Sequence, residues 1–113
     1  MAVTKTPTTA LNAVTTTQTS SAVDISAVDA ATAYVKIVQV GTATTAATWT
    51  LQISPDASAY YNVGPFAADL PAGSYYWEVS IPSDAKGVKI DFTQQVGGTS
   101  STITAQIGTY LKT

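Results

Sequence analysis

Three features of the sequence predict an all-β fold, an antiparallel β-sandwich of jelly-roll-like type with about seven or eight short strands. Apolar and polar residues alternate at period two in several segments, most plainly SYYWEVSI (74–81) and STITAQIGTYL (101–111). Breaks rich in Gly, Pro, Asp and Ser separate those segments at regular intervals. About one residue in six is threonine, and β-branched side chains favour pleated, half-buried strands. No stretch carries a convincing helical period.

Each element can be justified in chain order. Residues 1–20 are rich in Thr and Ser, with Pro7 near the start, and are expected to form an extended N-terminal arm. Residues 21–113 are then a single sandwich domain, since 113 residues suffice for one domain and not for two. A local echo, SAVD at 21–24 and again at 26–29, reads as a strand over 22–26 followed by a turn near Asp29-Ala30-Ala31 or one short helical turn. YVKIVQV (34–40) is β-rich but out of phase with itself, which fits a strand buried on both faces or carrying a bulge.

Gly41–Ala46 is expected as a loop. In TWTLQISPDASAYYNV (48–63), Trp49, Leu51 and Ile53 share one face and Thr48, Thr50 and Gln52 the other, until Ser54-Pro55-Asp56 turns the chain and 59–63 returns. Gly64-Pro65 and Leu70-Pro-Ala-Gly73 bracket a connection from which Phe66 and Leu70 can tuck inward. The next strand puts Tyr75, Trp77, Val79 and Ile81 on one face, and Pro82, which cannot donate to a ladder, closes it. Val88, Ile90 and Phe92 form the inward row of another strand. Gly97-Gly98 supplies positive-φ positions for the hairpin into the last strand.

Composition narrows function. Charged residues make up only 11% of the chain, well below the ~25% of ordinary soluble proteins, so little charge need be desolvated on contact with another subunit. There is no His and no Cys, which removes the commonest general base, metal ligand and thiol nucleophile, and any disulfide. All basic residues are lysines (Lys5, Lys36, Lys86, Lys89, Lys112), and the net charge is −2. Bidentate phosphate or guanine recognition is therefore not available, and no nucleic-acid partner is expected. The first residues lack the apolar run of a signal peptide, and no later run approaches membrane-spanning length, so no membrane partner is expected and synthesis is placed in a cytoplasm.

The acids (Asp24, Asp29, Asp56, Asp69, Glu78, Asp84, Asp91) fall mostly in turns, where Asp caps its own backbone. They lack the facing pair a glycosidase needs and the density of a calcium loop. Gly97-Gly-Thr-Ser-Ser101 precedes a strand where a phosphate loop would need a helix. The expectation is no enzyme, no cofactor and no metal. Sugar binding by exposed aromatics is the rival reading. Trp49 and Trp77 are in phase with core residues, leaving Tyr76 and one of Tyr60 or Tyr61 outside. Such tyrosines serve equally as anchors at protein contacts.

The succession WTLQISPD, AYYNV, PAGSYYWEV, GVKIDFTQ and STITAQIGTYL resembles small β-sandwich structural proteins that tailed bacteriophages encode among their head and virion genes. The resemblance covers about Tyr34 to Leu111. It departs where many such sequences have Gly after the turn Asp and Trp in the return strand, since Ala57 and Tyr60-Tyr61 stand there. It implies a capsid cement or decoration protein on the surface of a virion. Its partners would be the major capsid protein or other virion subunits, and a closed homo-oligomer such as a trimer would match a shell's local symmetry. Leu11 and Val14 of the arm, with Tyr60, Tyr61 and Tyr76, are the expected interface residues. The alternative is a glycan-binding sandwich on a tail appendage or a secreted protein.

Overall fold

A computed structural model describes residues 3–97 and 99–112. The elements are β1 (Val3–Val14), β2 (Gln18–Thr19), β3 (Val23–Asp24), β4 (Ala30–Val40), β5 (Thr48–Ser54), β6 (Tyr61–Ala67), β7 (Gly73–Ile81), β8 (Gly87–Thr93) and β9 (Thr99–Lys112). They form two antiparallel sheets. One runs β1-β9-β4-β7; the other runs β2-β8-β5-β6, with β3 also on β8.

β2 and β3 lie end to end along β8, Gln18 and Thr19 opposite Phe92 and Asp91, Val23 and Asp24 opposite Val88 and Gly87. Ser20 bridges the gap, its N–H donating to the Ile90 carbonyl at 2.8 Å and its Oγ accepting from the Ile90 N–H at 2.9 Å. Counted as one interrupted strand, they leave a long hairpin rolled on itself: β1 with β9, β2/β3 with β8, β4 with β7, β5 with β6. That pairing is a jelly roll. The result is a slab of 49 × 28 × 17 Å.

The inner faces pack by period two. Ala31, Ala33, Val35 and Ile37 of β4 and Ile103, Ala105 and Ile107 of β9 share one cluster with Trp49 and Leu51 of β5 and Val88, Ile90 and Phe92 of β8. The alanines of one sheet leave room for the large rings of the other, as close packing requires. Trp49 stacks on Phe66 (centroids 4.6 Å) and meets Trp77 edge-on at 6.0 Å. Trp49 is thus a core residue, as its phase predicts, whereas Trp77 faces inward but is only half-buried against the core. No helix long and apolar enough to cross a membrane occurs among the described residues.

Several expectations are corrected. The turn or helical turn near Asp29-Ala30-Ala31 is instead the start of β4, where Ala31 pairs with both Ile81 and Thr109. β4 alternates regularly, with Gln39 buried on its inward row, and the register shift against β9 falls at Val38–Val40. Gly64-Pro65 lies inside β6, because an edge strand tolerates a residue with no N–H, and the register against β5 shifts beside it. Phe66 tucks inward, but Leu70 is 41% exposed; its carbonyl, not its side chain, is used, accepting from the Gln39 amide. Gly97 has φ 81°, as a turn glycine should, and Gly98 lies outside the described residues.

The N-terminal segment is extended and lies on its own sheet: β1 pairs with β9 from Val3↔Lys112 to Val14↔Ile103. Leu11 is 3% exposed in the core, and half-buried Val14 packs against it. For Leu11 to reach another subunit, β1 would have to leave β9, whose Ala105 it faces, whereas part of Val14 is already exposed.

Candidate interaction surface

The expected site residues do not come together. Tyr76 stands on the outer face of the β1-β9-β4-β7 sheet, 68% exposed; Tyr61, 62% exposed, is on the free flank at β6; Tyr60 is half-buried over β8. Gly87 makes that last position available, because a Cβ there would meet the Tyr60 hydroxyl at 2.6 Å, and Lys89 Nζ caps the ring at 4.3 Å from its centroid.

The strongest grouping of exposed aromatics lies across the β7-β4-β9 face. Register fixes its rows. Tyr76, Lys36 and Thr104 stand side by side on β7, β4 and β9; next come Glu78, Tyr34 and Gln106; then Ser80, Thr32 and Gly108; and beyond them Ala30 beside Tyr110. Tyr76, Tyr34 and Tyr110 therefore make a diagonal stripe over three strands. Tyr34 is 48% exposed and leans over Gly108, where a Cβ would meet its Cε2 at 2.9 Å. Lys36 Nζ lies 5.6 Å from the Tyr76 ring centre.

Tyr34 is a ridge between two open depressions. One, of about 570 Å³, is floored by β4 and β9 and bounded by Tyr34, Tyr76, Lys36, Glu78 and Gln106. The other, of about 340 Å³, lies over the small residues Ala30, Thr32 and Gly108 and reaches Pro7 of β1 and Tyr110. Tyr34 and Tyr110 were absent from the sequence-based set. Lys36 held the signal for Tyr34: a charged side chain in a half-buried strand points outward, and a residue two positions earlier shares its face.

The turn acids act on their own backbone. Asp56 Oδ1 accepts from the Ser58 and Ala59 N–H groups and from Ser54 Oγ, each at 2.9 Å. These bonds, the backbone ones first, hold its carboxyl below the usual carboxylate range. Asp24 is likewise lowered by the Ser26 hydroxyl and N–H. Among the described residues no three acidic side chains gather where a metal ion could be held.

A half-buried amide network ties the end of β8 to the start of β9 and to the segment after β1. Gln94 Nε2 donates to the Thr15 and Ser101 carbonyls at 2.8 Å, its Oε1 accepts from the Ser101 N–H at 2.9 Å, and the Ser101 hydroxyl donates to Gln95.

No family model matches the sequence, and no curated protein matches it. Solved structures do share its fold. The SPBc2 prophage-derived protein YomS superposes with a TM-score of 0.60 at 14% identity, over 97% of this chain and 96% of its own. A chain from the structure of infectious bursal disease virus, Gx strain, gives 0.58 at 14% identity over 96% of this chain, and a chain of that virus's VP2 subviral particle gives 0.57 at 12%. This chain spans about a third of those two, 32% and 33% of their lengths. The protein is thus similar in architecture to a whole prophage-derived chain and to one part of a virus particle's chain.

Proposed function

We propose that the protein is a structural subunit of a phage virion, a minor capsid protein of the cement or decoration kind that works by contacts with major capsid or other virion subunits. The observation that carries this reading is the tyrosine stripe on a broad, weakly charged sheet face. Tyr is enriched at protein contacts, where its large ring anchors at low entropic cost. The Thr, Ser and Gln around it are cheaper to desolvate than charges. Support also comes from the fold, which is shared with a prophage-derived protein and with chains of a virus and a subviral particle. In this reading the chain is made in the host cytoplasm, ends on the capsid surface, and needs no cofactor, nucleic acid or membrane.

The test is to purify particles from cells that encode the chain and quantify it by mass spectrometry. The expected result is many copies per particle that survive gradient purification; particles complete without it would overturn the proposal.

One observation favours a second use. The depression between Tyr34 and Tyr76, edged by Lys36, Glu78 and Gln106, offers ring faces and polar partners of the kind a sugar ring stacks on. A glycan array separates the two uses. Binding that Tyr34→Ala and Tyr76→Ala abolish would favour the sugar; a blank array together with abundance in particles favours the capsid.

A further inference from the structure

The sandwich has four strand edges, and three are guarded. β1 carries Lys5, Pro7 and two register shifts against β9. β6 carries Gly64 at φ 114° and Pro65. The β2/β3 edge is two short pieces. Interruptions, Lys and Pro are the ordinary means of keeping an edge from pairing with another chain. β7, GSYYWEVSI, has none of them. It is nine residues long, without Pro or Lys, and pairs with β4 through an unbroken register from Gly73↔Gln39 to Ile81↔Ala31. Among the described residues its ladder has a partner on that side alone.

Burial points the same way. Val35 and Ile37 of β4, and Leu11 on the opposite edge, are fully buried. The inward row Tyr75, Trp77 and Val79 of β7 is only half-buried, although it packs against the core. At the β1 edge Leu11 is buried and Val14 half-buried; at the β7 edge only Ile81 is buried, and three successive inward residues stay half-covered.

We infer that β7 pairs antiparallel with β7 of a second copy of this chain about a two-fold axis at Trp77, joining two four-stranded sheets into one. The argument for a second copy is self-complementarity. Residues directly opposite in an antiparallel pair share a face, and a two-fold axis at Trp77 aligns the whole strand. On the inner face Tyr75 meets Val79 of the second copy and Trp77 meets Trp77, aromatic and β-branched pairs that continue the half-covered layer. On the outer face Ser74 meets Ser80, and Tyr76 meets Glu78, a phenol donor beside a carboxylate. Moving the axis to Glu78 would set the two carboxylates against each other and is disfavoured. The interface is isologous and closes on itself, so it gives a dimer and not a fibre. The inference stands apart from the virion reading, since it concerns the chain alone.

Sedimentation analysis of the full chain over a range of concentrations tests it, with circular dichroism to confirm folding. Ser74 and Ser80 are exposed and lie opposite each other only across the dimer. The wild type should be a dimer. Ser74→Lys with Ser80→Lys, which sets like charges opposite, should raise its dissociation constant at least tenfold, whereas Ser74→Lys with Ser80→Glu should restore it. A wild type that is monomeric throughout overturns the proposal, as does a dimer indifferent to the Lys/Lys change. Loss of the dimer in both charge variants overturns the register.

Discussion

The two outer faces of the sandwich are built from similar side chains and left in different states. On the β2-β8-β5-β6 sheet the outward groups answer one another: Thr19 donates to Asp91 at 2.9 Å, Gln52 to Asn62 at 3.2 Å, and Lys89 caps the Tyr60 ring above Gly87. On the β1-β9-β4-β7 sheet the same device, a tyrosine leaning over a glycine, leaves Tyr34 half in solvent, and Tyr76 beside it is more exposed, with Lys36 Nζ at a longer 5.6 Å from its ring centre. A tyrosine over a glycine is thus neutral as to purpose. What its neighbours do with the ring decides whether it stabilises the fold or remains available to a partner.

Exchanging the roles of these tyrosines gives the largest expected effect. Tyr34→Ala with Tyr76→Ala should weaken binding to particles on the order of 100-fold, as loss of two aromatic anchors does, while urea unfolding shifts by less than about 1 kcal/mol. Equal loss of both would make the stripe structural. Tyr60→Ala should do the reverse. It gives up a half-buried ring and its cation–π contact, so stability should fall by about 1–2 kcal/mol with particle binding unchanged.

A smaller effect tests the Asp56 turn, which holds the β5–β6 hairpin of the self-satisfied sheet. Because the folded carboxyl titrates below its ordinary value of 3.8, its contribution is present above that pH and is lost as pH falls through the lower folded value. Asp56→Asn should therefore lower the melting temperature near neutral pH, and the gap from wild type should close in strong acid. A gap that is constant with pH would exclude the carboxylate as its cause. The smallest change is expected at Ala57, at φ 62° in the same turn. Glycine there would relieve about 1 kcal/mol of left-handed strain and give back most of it through the freer unfolded chain. A gain of a few tenths of a kcal/mol in urea unfolding is the expected outcome.

Much of this was legible in the sequence, and the misses have physical causes. Wherever a large apolar residue sat on alternate positions, as at Trp49, Leu51 and Ile53 or Val88, Ile90 and Phe92, the strand and its inner face could be read directly. β1 read as an arm because an edge strand with one wet face needs few apolar residues, and Leu11 and Val14 suffice; a linker has the same composition. The start of β4 was hidden because Ala31 and Ala33 are too small to mark a core row until the rings opposite are known. Gly64-Pro65 has the chemistry of a turn, and only its place on an edge permits it inside a strand. Pairing of sheets lies beyond local pattern altogether, so the diagonal of Tyr76, Tyr34 and Tyr110 could not be assembled from three separate strands. Ala57 takes the left-handed conformation that glycine adopts without strain, which alternation of apolar residues does not reveal.

The central claim is that the tyrosine-bearing face is where this protein meets other virion subunits. Cryo-electron microscopy of purified particles, at a resolution that separates strands, tests it most directly. The account predicts a jelly roll whose β7-β4-β9 face lies against a neighbouring subunit, with Tyr34 and Tyr76 covered and the Tyr60 face toward solvent. A particle in which the chain sits with Tyr34 and Tyr76 facing solvent, or one that lacks the chain, would contradict it.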